Sequence, residues 1–151
     1  MQKLKSLLQS PYHSIFVSTS LLLTRFVAGS AFMFHGWRKI QNPLGWMGPD
    51  ADIPAFFQFL AALSEFGGGL AWILGLLTPI ASFGIGCTMI VAAHMHMIVR
   101  KDPFVSLTGG PSYELALVFL SISVMLMALG PGRFSFDRFI FGIRGNKNKQ
   151  I

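Results

Sequence analysis

The sequence predicts an all-α polytopic membrane protein, an antiparallel four-helix transmembrane bundle, and three observations lead there. Just over half of the residues are apolar and only 12% are charged, about half the usual share of about 25% for a soluble domain. The apolar residues are gathered into four segments long enough for a hydrocarbon core of about 30 Å, which takes about 20 helical residues. The basic residues sit at the chain ends and at segment ends, where they meet headgroups and orient the spans. A soluble fold of this size would lack the charge to cover its surface. The excess of six basic residues does not point to nucleic acid, because they form no patch interleaved with aromatics.

A single domain, residues 1–151, is expected. The first span is predicted over 15–40, the second over 54–77, the third over 79–99 and the fourth over 112–129. Pro54 and Pro79 open their helices, where a missing N–H costs nothing. Gly109-Gly110-Pro111 breaks the chain ahead of the fourth span, and Gly130-Pro131-Gly132 stops it. Thr78 and its neighbours make a tight turn between spans two and three. A basic cytoplasmic tail is expected over 131–151. Lys3 and Lys5 precede an apolar run that Arg25 interrupts and that continues well past it, which fits an uncleaved first helix better than a signal peptide.

Charge sets the orientation. Lys3, Lys5, Arg133, Arg138, Arg144, Lys147 and Lys149 lie on one side, and Arg38, Lys39, Arg100 and Lys101 on the other. The positive-inside rule then places both termini in the cytoplasm and the two longer loops outside. Trp37, Trp46 and Tyr113 fall at the outer interface, where aromatic belts form. Cys87, the one cysteine, excludes an intramolecular disulfide or a paired redox motif and reads as a small buried hydrophobe.

Arg25 and Glu65 each stand about ten residues into their spans from opposite sides, so each is about 15 Å deep. Opposite charges at one depth on neighbouring helices should pair, since either alone is costly in lipid. A second layer lies toward the outer face. His35 and Lys39 are four residues apart and share a helix face. His94 and His96 close the third span, and Glu114 opens the fourth. This set suits a quinone headgroup, a metal or an anionic substrate. His94 and His96 are about 200° apart on an ideal helix, so one faces inward, and the deeper His94 is the expected one. That angle speaks against a two-histidine chelate. The interleaved Met95 and Met97 read as packing rather than a copper site, and no metal site is expected. A haem held between His35 and His94 is a minor alternative, and His13 is expected to be interfacial. Gly67, Gly68, Gly69 and Gly75 allow close helix approach.

Five stretches, taken together, resemble the DoxX family of small membrane proteins. They are R-F-x-x-G-x-x-F-x-x-H-G-x-x-K from Arg25 to Lys39, E-F-G-G-G from Glu65 to Gly69, G-L-L-T-P from Gly75 to Pro79, G-G-P-S-Y-E from Gly109 to Glu114, and G-P-G-R-F-S-F-D from Gly130 to Asp137. The resemblance covers about residues 20–140. Pro79 stands where the family commonly has a basic residue, and His94 and His96 compete for the family's histidine near the end of span three. The resemblance implies a bacterial inner-membrane subunit of a redox system. Some members resemble subunits of thiosulfate:quinone oxidoreductase, and others are linked to quinone detoxification or oxidative stress. The corresponding expectation is a quinone-interacting subunit. His35, Lys39 and one of His94 or His96 would bind the quinone or a sulfur oxyanion. Glu65 and Glu114 would relay protons, and Arg25 would hold Glu65 ionised. Without a flavin motif or a cysteine pair, a protein partner or bound cofactor would supply electrons. A homo-oligomer is also compatible, and the alternative is a non-catalytic accessory subunit of a larger membrane complex.

Overall fold

A computed structural model of the chain describes residues 8–143, and Lys3, Lys5, Arg144, Lys147 and Lys149 of the orientation argument lie outside the described residues. The described part is helical, without a β-strand. Helix α1 runs Ile15–Gln41, α2 Ala55–Leu74, α3 Thr78–Val99, α4 Glu114–Leu129 and the short α5 Phe136–Phe141. The first three, of 27, 20 and 22 residues, are long and apolar enough to cross a membrane, whereas α4 is apolar but has 16 residues. Large apolar side chains such as Phe16, Phe34, Phe83 and Val118 point outward, as they do when lipid is the solvent.

Side chains too small to keep the backbones apart set the packing of α1 on α2. A Cβ on Gly29 would lie 2.6 Å from the Gly69 carbonyl oxygen, and one on Gly36 would lie 2.5 Å from the Phe66 nitrogen. Helices that approach this closely gain dispersion contact along their whole length, the main driving force for association in lipid. These two crossings fix the register: Gly36 lies beside Glu65 and Phe66, and Gly29 beside Gly69 and Ile73. The core between them holds Phe32, edge-on to Trp72 at 5.6 Å and to Phe119 at 4.5 Å. Trp72 is fully buried and donates its indole N–H to Ser82 Oγ at 2.9 Å. That bond ties α2 to α3 and satisfies the indole donor.

Two helices contain π-helical turns, Leu63–Gly67 within α2 and Met95–Val99 at the end of α3. Such turns are rare and recur at functional sites. Glu65 lies in the first and His96 in the second.

At the other end of the molecule, Arg25 is fully buried. Its guanidinium donates to Pro131 O at 2.9 Å and to Phe134 O at 2.7 Å. The expected Arg25–Glu65 pair is therefore not formed. Fourteen residues separate Arg25 from Lys39, the residue that does reach Glu65, which is about 21 Å along α1 at 1.5 Å per residue. The sequence estimate counted depth from each span's own start, but the glycine crossings slide α1 past the end of α2. Arg25 thereby faces Gly75, where a Cβ would collide with the guanidinium.

Within the basic segment that follows α4, Pro131, Gly132 and Asp137 are buried against the helices, while Phe134, Phe136 and Phe139 are exposed. Asp137 is fully buried. Its carboxylate accepts from Leu77 N at 2.6 Å and Thr78 N at 2.8 Å, and its own N–H donates to Gly75 O at 2.8 Å. It thus caps the start of α3 from a distant part of the chain, satisfying amides that a helix leaves open. It also holds Leu77 in the left-handed region, at φ 50°, a conformation costly for a side chain with a Cβ. Cys87, expected to be buried, is exposed on the outer face of α3, so the apolar run around it meets lipid on that side.

Candidate functional site

The polar residues of α1, α2 and α3 converge at the end away from Arg25. Lys39, in the last turn of α1, meets Glu65 with Nζ 2.6 Å from Oε1. The glycine at position 36 makes this possible by bringing α1 onto the Glu65 backbone. Lys39 Nζ also lies 4.3 Å from the centroid of the Trp46 ring, a distance at which the ring face attracts the ammonium. Trp46 is held in turn by its N–H to Gln58 O at 3.0 Å, and the Gln58 side chain bonds Met47 N and Ile53 O. The loop after α1 therefore folds down over the ion pair, anchored on one glutamine of α2.

Behind the pair lies a partly open cavity of about 250 Å³. Its apolar wall includes Phe32, Met89 and Phe119, and its polar groups are His35, Lys39, Glu65, His96 and Ser112. His96 is fixed by Asp102, whose Oδ2 lies 2.7 Å from Nδ1. The same residue's amide donates to His96 O at 2.8 Å, so the chain leaving α3 doubles back to orient the ring. Glu65 is 4% exposed, and its Oε2 has no hydrogen-bond partner among the described residues. A buried carboxylate oxygen left open is costly unless something donates to it.

The geometry sorts the residues singled out in the sequence. His35, Lys39, Glu65 and His96 share one cavity. His94, expected to face inward, is exposed on the outside of α3, and His96 takes the inward place. The widened turn from Met95 changes the angle per residue, so a count of 100° per residue fails there. Glu114 opens α4 half-buried and does not line the cavity, to which α4 contributes Leu115, Ala116 and Phe119. Arg25 belongs to the opposite end. His13 bonds Leu129 O at 2.7 Å through Nε2. Sequence reasoning missed Asp102 as the partner of His96 and Gln58 as the loop anchor. An acidic residue six positions after a histidine at a helix end was the available signal for the first. A lone glutamine in an apolar helix was the signal for the second.

No solved structure matches this chain. An Escherichia coli (strain K12) relative, "Inner membrane protein YqjF", is 31% identical over 126 residues, 80% of this chain and 91% of that protein. A Bacillus subtilis (strain 168) relative, "Putative oxidoreductase CatD", is 30% identical over 133 residues, 86% of this chain and 92% of that protein. The DoxX family profile matches residues 20–98, a stretch that carries Arg25, His35, Lys39, Glu65, His94 and His96. This chain belongs to the DoxX family of membrane proteins.

Proposed function

We propose that this protein is a quinone-interacting membrane subunit of a redox system, with the Lys39–Glu65–His96 cavity as its headgroup site. The observation that carries this reading is the cavity's make-up. An aromatic and apolar wall stands opposite a few polar groups on the same pocket, the pattern that holds a planar ring and fixes its orientation. Its volume of about 250 Å³ suits a headgroup with the apolar tail leaving among the helices. The fit extends to hydrogen bonding: Glu65 Oε2 lacks a partner among the described residues, and the Asp102 contact leaves Nε2 of His96 free for a ligand. The name of the Bacillus subtilis relative, "Putative oxidoreductase CatD", points the same way.

In this reading His35 and His96 hold the ring oxygens, Lys39 sets the charge and position of Glu65, and Glu65 exchanges protons with the ligand. Electrons come from a partner protein or its cofactor. Helix α4 completes a four-span antiparallel bundle in the bacterial inner membrane, in keeping with the name of the Escherichia coli relative. Both termini lie in the cytoplasm in this reading, which the excess of Lys and Arg on that side supports. Binding of a short-tailed quinone to detergent-purified protein tests the proposal, with His35→Ala as control. Saturable binding weakened at least about tenfold by the substitution supports it. An accessory subunit without such a site would show no saturable binding.

A further inference from the structure

Beside His35 and Ser112, which can donate as well as accept, the cavity holds two acceptors open to a ligand. Glu65 spends Oε1 on Lys39 at 2.6 Å and keeps Oε2 open and buried. A carboxylate in an ion pair offers only lone pairs. Asp102 Oδ2 at 2.7 Å from His96 Nδ1 requires that Nδ1 carry the hydrogen, since the facing carboxylate can only accept. In the tautomer with the hydrogen on Nδ1, Nε2 presents a lone pair. Lys39, the cation on this wall, already gives a hydrogen to Glu65 and turns toward the Trp46 face. A quinone's carbonyl oxygens are acceptors too and could not satisfy either atom.

We infer that the ligand this site favours is the reduced hydroquinone, one phenolic hydroxyl donating to Glu65 Oε2 and another to His96 Nε2. This rests on the headgroup reading above and specifies which redox form the cavity is built to hold. The apolar wall of Phe32, Met89 and Phe119 raises the penalty for an unmatched polar atom, so the difference between the two forms is large. A hydrogen bond to a charged group, lost on oxidation, corresponds to about a tenfold or greater loss of affinity.

Isothermal titration of the full-length protein in detergent at pH 8, under anaerobic conditions, tests this with three probes. These are decylubiquinol, decylubiquinone and the same hydroquinone with both hydroxyls methylated. The hydroquinone should bind at least about tenfold more tightly than either of the others. Glu65→Gln should remove most of that preference, and His96→Ala, which leaves the Lys39–Glu65 pair in place, should reduce it as well. Equal affinity for hydroquinone and quinone would overturn the inference while leaving the cavity as a headgroup site. Tighter binding of the quinone or of the methylated compound would overturn it too. Absence of binding by all three probes would overturn the headgroup reading itself.

Discussion

Lys39 and Glu65, 26 positions apart in the chain, form a 2.6 Å ion pair at the crossing of α1 and α2. The Glu65 side chain is almost wholly buried, while that of Lys39 is 24% exposed. Removing one partner strands the other in a medium that solvates it poorly. Lys39→Met and Glu65→Gln should each lower stability by about 3 kcal/mol, the low end for breaking a buried pair, because Lys39 keeps some contact with water. The double substitution should cost less than the sum of the two. Denaturant titration of the four proteins in detergent reads the coupling, and additive losses would contradict it.

His96 and His94 should differ in the opposite sense from a count of helical angle. His96→Ala removes a cavity group and should weaken quinone or hydroquinone binding several-fold. His94→Ala removes an exposed ring and should leave affinity within about twofold, the scale of a surface change. Equilibrium binding with both variants decides this.

Gly36 and Gly67 should respond differently to alanine. At Gly36 the new methyl would meet Phe66 N at 2.5 Å and Glu65 C at 2.9 Å, both backbone atoms that cannot yield alone. Forcing α1 off α2 should cost about 1–3 kcal/mol and loosen the Lys39–Glu65 contact. At Gly67 the nearest neighbour is the end of the Leu63 side chain at 3.3 Å, and Gly67→Ala should be tolerated. Thermal unfolding of the two proteins gives the comparison.

Asp137 supplies both oxygens of its carboxylate to the start of α3. Asp137→Ala leaves two amides without acceptors and should cost about 2–4 kcal/mol, at about 1–2 for each orphaned group. Asp137→Asn keeps one acceptor oxygen and should lose roughly half as much. The order of the melting temperatures, wild type above Asn above Ala, is the measurement.

Orientation can be read with single cysteines. In a Cys87→Ala background, Asp50→Cys should react with a membrane-impermeant maleimide added outside intact cells. Labelling that requires disruption of the membrane would reverse the topology derived from the Lys and Arg distribution.

The residues that make helices long and apolar are local, and so the three long helices were legible in the sequence to within a few residues. Pro54 and Pro79 marked two of their starts, and Gly130 the end of α4, for steric reasons that need no tertiary context. The candidate site was legible in part: Arg25, His94 and Glu114 of the expected set lie outside the cavity. His35, Lys39 and Glu65 were identifiable because polar groups in an apolar run need partners. Which partner each has depends on the sliding of α1 along α2, and that is decided by Gly29 and Gly36 meeting the Gly69 and Phe66 backbones. The inward histidine was misassigned because a π turn, which an ideal helical count does not contain, begins at Met95. Arg25 was misplaced because its acceptors are main-chain oxygens of Pro131 and Phe134, and a carbonyl leaves no mark in a list of side chains.

That last arrangement has a bearing on biogenesis. Arg25 enters the bilayer with α1, yet the oxygens that receive its guanidinium belong to residues more than a hundred positions later. Chains are made from the N-terminus at about 5–20 residues per second, so for several seconds the nascent protein carries a cation in lipid with its acceptors still unsynthesised. A chain released before Phe134 would never acquire them. Compensation of the arginine's charge therefore depends on the segment after α4, and a chain lacking that segment would keep the guanidinium without these two acceptors.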